Sequence, residues 1–328
     1  MFKKILLGFL VVIVVVVGGF LIFVFTSYNK TYNDAYPVSE LKVPADSALI
    51  ERGRYLALGP AHCIDCHAPH EALQNREEGQ EISLTGGFGL EVPPGKFYAP
   101  NITPDTETGI GNLTDGELYR MLRHNILPDG RATIDFMPFF NMTDDDIYAL
   151  IAYLRSTQPV KNKMPQRELT FLGKMVFAMG AIDPDNPQGP VQKSITPDTT
   201  AEYGHYLAFA VANCMGCHTE RNMQTGEYIG QPYSGGMTFG PDNMTKDWIF
   251  VSPNLTPDQQ TGRITEWDEE SFIDRLKAGR AYDTSPMPWE AYQNMTDNDL
   301  KAIYKYLKSV KPVAKVIAET AIAPASNR

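Results

Sequence analysis

The sequence predicts an all-α protein in which one N-terminal transmembrane helix precedes two tandem copies of a small helical domain. Three observations carry that expectation. An uncharged run of 21 residues extends from Ile5 to Phe25. A Cys-x-x-Cys-His motif occurs twice, at Cys63, Cys66, His67 and at Cys214, Cys217, His218. Three matched blocks, the first containing the motif, recur in the same order, which marks an internal duplication.

The apolar run comes first. At ~1.5 Å per residue it makes a helix of about 32 Å, enough to cross a bilayer. A cleaved signal peptide would have a shorter apolar core followed by a small-x-small site, whereas Thr-Ser-Tyr-Asn-Lys follows here. Lys3 and Lys4 place the amino terminus on the cytoplasmic side. Residues 1–28 therefore read as a membrane anchor and 29–45 as a polar linker.

The duplicated part begins near residue 46. "ERGRYLALGPAHCIDCH" aligns with "EYGHYLAFAVANCMGCH", with Gly53 and Gly204 each ten positions before the first cysteine. "APNITPDTETGIG" answers "SPNLTPDQQTGRI", and "NMTDDDIYALIAYLRSTQPV" answers "NMTDNDLKAIYKYLKSVKPV". The matched blocks define domains at 46–160 and 197–313, of the size that supports one core. The segment before each cysteine pair reads as a first helix. The closing helix has clearer signals: Thr143 and Thr296 occupy N-cap positions, with Asp146 and Asp299 three residues on in a capping-box-like pattern. Ile147, Leu150, Ile151 and Leu154, and Leu300, Ile303, Tyr304 and Leu307, each form one apolar stripe. Pro159 and Pro312 end these helices. The Gly/Pro/Asp-rich stretches between show no periodicity that supports long helices or strands.

The cysteine motifs carry the chemistry. A zinc site would need all four cysteines, or Cys/His pairs, gathered in one small fold, and nothing in it calls for a histidine directly after the second cysteine twice over. A c-type haem does, since two thiols form thioethers with the porphyrin vinyl groups and the next imidazole binds iron. Two covalently attached haem c groups consume every cysteine in the chain.

Histidine or methionine is the usual second axial ligand in electron carriers. Met137 and Met287 both precede proline and stand 70 residues after His67 and 69 after His218. Met142 and Met295 also recur, but they directly precede the cap threonines, where an apolar residue staples a helix entry. The spacing assigns iron to His67 with Met137 and to His218 with Met287. His62, His124 and His205 face other residues in the repeat alignment, so they read as structural. Such His/Met sites are low-spin and of raised potential, suited to the oxidising end of a respiratory chain. A dihaem peroxidase would instead keep one iron open, and the matched methionines speak against it.

The remaining segments carry less information. Residues 161–196 form an inter-domain linker whose middle, 169–180, reads as a short helix packing between the two domains as a brace, with contact to the membrane or a partner as the alternative. The tail, 314–328, has the composition of a disordered end. Thirty-nine acidic against 29 basic residues give a net charge of −10, with no basic patch to suit nucleic acid.

Taken together, the order of Cys-x-x-Cys-His, a Gly-Gly turn (Gly86-Gly87 and Gly235-Gly236), Asn-Ile/Leu-Thr-Pro-Asp, Met-Pro and a capped helix ending Tyr-Leu-Arg/Lys-Ser resembles the class I cytochrome c domains of bacterial membrane-bound di- and multihaem cytochromes. The cytochrome subunits of periplasmic alcohol and sugar dehydrogenases are the best-known holders of that pattern. The resemblance covers roughly 46–160 and 197–313. It implies a non-catalytic electron carrier in the cytoplasmic membrane with its haem domains on the periplasmic side. It also implies redox-protein donors and acceptors, either as a free carrier or as a subunit of a dehydrogenase or larger respiratory complex.

Overall fold

The structure is a computed structural model describing residues 2–74, 82–222, 226–242 and 244–324. In chain order its elements are α1 (Phe2–Ser27), α2 (Ser47–Leu58), α3 (Cys63–His67), α4 (His70–Gln74), β1 (Gly89–Val92), β2 (Gly95–Tyr98), α5 (Asp115–His124) and α6 (Asp144–Ser156). There follow β3 (Glu168–Leu169), α7 (Phe171–Ala178), α8 (Ala201–Tyr206), α9 (Cys214–Cys217), β4 (Thr238–Phe239) and β5 (Ile249–Val251). The last four are α10 (Glu269–Lys277), α11 (Trp289–Tyr292), α12 (Asp297–Ser309) and β6 (Ala321–Ile322).

Two matched helix crossings organise the chain, α2 on α6 and α8 on α12. Each depends on a glycine. A Cβ at Gly53 would sit 1.8 Å from the Ala149 carbonyl oxygen, and one at Gly204 1.9 Å from that of Ala302. No side chain fits in that space, so the repeated glycine sets how closely the backbones approach. The apolar stripes then close the core: Ile147, Leu150, Ile151 and Leu154 are buried, as are Leu300, Ile303 and Leu307, with Tyr304 half-buried. Thr143 and Thr296 cap α6 and α12 by accepting the amide hydrogens of Asp146 and Asp299.

The other half of the expected capping box is replaced. Asp146 accepts two 2.8 Å hydrogen bonds from Arg52 and one of 2.7 Å from the Tyr206 hydroxyl, while the Thr143 amide donates to the same hydroxyl. In mirror fashion the Tyr55 hydroxyl donates to Asp299 and accepts from the Thr296 amide. Tyr55 and Tyr206 are equivalent residues of the two repeats, so each repeat's first helix holds the start of the other's closing helix. The buried apolar cluster runs without a break through both copies.

Four expectations are corrected. The fold is helical but not all-α, since β1-β2-β3 and β4-β5-β6 form two small antiparallel sheets. Their third strands come from beyond the closing helices, and Ala321–Ile322 in the tail pair with Ile249 and Phe250 instead of remaining unstructured. Residues 325–328 lie outside the described residues. Each repeat also holds a third helix, α5 or α10, whose caps are Thr114, in a full capping box with Glu117, and Asp268. Last, α7 is no brace between the repeats. It packs against α1 and the turn of the first hairpin, where a Cβ on Gly173 would sit 1.9 Å from the Pro94 carbonyl oxygen. Phe171 at its start meets Phe25 near the end of α1.

α1 is long and apolar enough to cross a membrane and lies apart from the core for nearly all its length.

Candidate functional site

Each Cys-x-x-Cys-His motif starts with a backbone turn that its sequence makes affordable. His62 and Asn213, directly before the first cysteines, adopt left-handed φ values of 40° and 48°. Asn tolerates this region well, and His is among the residues enriched there. The preceding helices end in matched wide turns, with the Ala61 amide bonded to the Leu56 carbonyl and the Ala212 amide to the Leu207 carbonyl. One short helical turn then carries both thiols, and all four cysteines are free of disulfides.

His67 and His218 are buried, and their Nδ1 atoms lie 2.8 and 3.1 Å from the carbonyl oxygens of Pro100 and Pro253. A carbonyl can only accept, so Nδ1 carries the proton and Nε2 is left with a free lone pair. Burial lowers both histidine pKa values and favours this neutral form. The Pro-Asn-Ile/Leu-Thr blocks hold those carbonyls in place. Asn101 donates to the Val160 carbonyl at 2.7 Å and Asn254 to that of Val313 at 2.8 Å. The Gly86 and Gly235 amides close the loop onto the carbonyls of His67 and His218, at positive φ and with no room for a Cβ. The recurrent proline blocks are thus the orienting shell of the histidines, a role the sequence comparison alone did not assign.

The four recurrent methionines separate by environment. Met142 and Met295 are 0 % and 1 % exposed within the core. Their carbonyls are held by cations of the third helices, Arg123 at 2.6 Å and Lys277 at 2.5 Å. Met137 and Met287 are half-buried at the edge of the same core, each followed by a tight turn in which Phe139 or Trp289 donates its amide to the methionine carbonyl at 2.8 Å.

Thiols, imidazole and thioether form a donor set that fits a covalently held iron porphyrin. Burial pushes the Cys63, Cys66 and Cys214 thiols up to about 12, so they stay neutral. Arg167 Nε and Nη2 and Arg221 Nε are buried without hydrogen-bond partners, donors that suit a group bearing carboxylates. The zinc alternative is not assembled: among the described residues, no three His, Cys, Asp or Glu side chains gather as a metal site. His124 Nδ1 is 2.8 Å from the Asp185 carbonyl oxygen, His205 stacks on Phe209, and His62 meets Tyr292 edge-on.

Each motif region also packs against the other repeat. α3 packs on α11, which directly follows the Met287 loop, and the Asn294 side chain donates to the Leu58 carbonyl at 2.6 Å. The turn after Met137 packs in the same way on the segment leading into Cys214.

Residues 202–311 match the family model described as Cytochrome c. The chain is 34% identical over 283 residues to the alcohol dehydrogenase (quinone) cytochrome c subunit of Gluconacetobacter polyoxogenes, covering 82% of this chain and 57% of the relative. It is 31% identical over 293 residues to the fructose dehydrogenase cytochrome subunit of Gluconobacter japonicus, covering 86% and 56%. A diheme cytochrome c-type protein of Cereibacter sphaeroides is 28% identical over 266 residues, covering 76% and 82%. The chain thus spans little more than half the length of the two dehydrogenase subunits.

Proposed function

We propose that this protein, which carries a cytochrome c domain at residues 202–311, is a membrane-anchored carrier of electrons with two covalent haem c groups, one in each of two domains at 46–160 and 197–313. The observation that carries the reading is the duplicated histidine geometry, with Nδ1 bonded to a proline carbonyl and Nε2 left for a metal at both motifs. A haem attached through Cys63 and Cys66 would be held at its iron by His67 and Met137, and one attached through Cys214 and Cys217 by His218 and Met287. When bound, haem iron supplies a one-electron couple. The protein's part is to fix the imidazoles by their proline carbonyls, exclude water with the two halves of the core, and present the methionines from short turns. α1 anchors the chain in the cytoplasmic membrane, with both haem domains on the periplasmic side.

The donor and acceptor are redox proteins. A second reading, in which the chain is the electron-transfer subunit of a periplasmic dehydrogenase, is favoured by the names of the relatives. Intact-mass measurement of protein made with its maturation system tests the main proposal: two haems remain on the denatured chain, and one or none refutes it. Co-purification of a dehydrogenase from solubilised membranes decides for the second reading.

A further inference from the structure

Helix α7 has no place in the haem chemistry, yet it presents large apolar side chains to the outside. Phe171, Leu172 and Met179 are 46 %, 44 % and 66 % exposed. Its position says what covers them. The uncharged run of α1 ends at Phe25, and the Phe171 ring lies 6.3 Å from the Phe25 ring. The 21 residues from Ile5 to Phe25 span about 32 Å against ~30 Å of hydrocarbon, so Phe25 marks the outer edge of the apolar layer. A side chain touching it from the chain's extracytoplasmic part lies at the same depth. The Lys174 ammonium sits over both Phe25 and Tyr28, 5.0 and 5.3 Å from the ring centres, where headgroups and phosphates lie.

The helix cannot turn its apolar face away from that layer. Gly173 is buried against the Pro94 carbonyl and Phe177 is buried beneath Arg167, so one side of α7 is fixed to the first repeat. β3, immediately before it, is hydrogen-bonded to β2, which ties the start of α7 to the same hairpin.

From this arrangement we infer that α7 is a second membrane contact, lying in the lipid interface beside the emerging end of α1 and seating the first repeat on the bilayer. The proposal rests on the reading of α1 as a membrane span. Phe171, Leu172 and Met179 enter the boundary between headgroups and acyl chains, and Lys174 stays at phosphate level. Two attachments in place of one restrict the tilt of the haem-bearing part over the membrane.

The full-length holoprotein in vesicles of phosphatidylcholine and phosphatidylglycerol provides the test. A carbene reagent that partitions into lipid is photolysed and the labelled peptides are mapped. Label on α1 together with label on 171–179 supports the proposal. In the L172E/M179E variant, label on 171–179 is lost while that on α1 and the haem spectrum stay unchanged. Label on α1 with none on 171–179 of the wild type overturns it, whether those residues are open to water-borne hydroxyl radicals or shielded by another protein in native membranes. Absence of label from α1 removes the anchor reading and this inference together, a result distinct from a failure at α7 alone.

Discussion

Truncating the recurrent methionines in pairs should produce opposite outcomes in two measurements. Met142 and Met295 are enclosed by core side chains, so replacing either with alanine leaves a cavity costing about 2–5 kcal/mol, a fall of roughly 5–15 °C in Tm. On the proposed ligation, Met137 and Met287 would still close the irons. Met137 and Met287 are half-buried, and losing that burial costs about 1 kcal/mol beyond any metal bond. On the proposed ligation, their loss would vacate one position on each iron. The assay is paired: carbon monoxide difference spectra of reduced protein, then thermal melts of the same samples. M137A and M287A should each open one haem to carbon monoxide with the smaller burial loss. M142A and M295A should melt early while binding no more carbon monoxide than wild type. Histidine at 137 or 287 should keep that haem low-spin at a lower potential. Carbon monoxide binding to the M142A or M295A protein, or none to M137A and M287A, refutes the ligand assignment. Binding at one haem of the wild type returns the peroxidase reading.

Three more tests address the packing. Tyr206→Phe leaves the Thr143 amide without its side-chain acceptor and takes a donor from Asp146, so it should cost about 2–4 kcal/mol, and Tyr55→Phe should act in the same direction; urea melts giving wild-type midpoints for both would show that the repeats are not held by these contacts. Gly53→Ala and Gly204→Ala drive a methyl group into the facing carbonyls and should cost about 3 kcal/mol or more by separating the paired helices, read as lost thermal stability and lower haem incorporation; retention of both would contradict the close crossing. Burial lowers the His62 pKa to about 4, below its ordinary 6.5, so its neutral form supports folding fully above pH 6.5 and that support is lost as pH falls toward 4. His62→Asn, the residue the second repeat uses there, should flatten the decline in Tm between those values, and an unchanged slope would refute the role of burial.

The sequence alone determined what local pattern and covalent chemistry specify. Cys-x-x-Cys-His is a contiguous motif, the caps at Thr143 and Thr296 act within three residues, and the stripes on α6 and α12 follow a 3.6-residue period. The duplication reinforced each of these by stating it twice. Gly53 and Gly204 were visible as matched letters, but the carbonyls of Ala149 and Ala302 that require them lie about a hundred residues away. Only the folded chain could explain the match.

The third helices α5 and α10 were missed, although Thr114 and Glu117 offered a capping-box pattern that could have marked the first of them within the glycine- and proline-rich surroundings. The short strands could not be found in that way. Two residues at 168–169 and two at 321–322 carry no period, and they become strands because β2 and β5 offer open edges. The methionines are a different case. Spacing and the Met-Pro step already favoured Met137 and Met287 over the cap-adjacent Met142 and Met295, and the assembled core adds only that the second pair is enclosed and the first half-buried. The crossed contacts of Tyr55 and Tyr206, and the seating of α7 beside Phe25, belong wholly to the tertiary structure, because each joins side chains whose separation along the chain leaves no trace in local pattern.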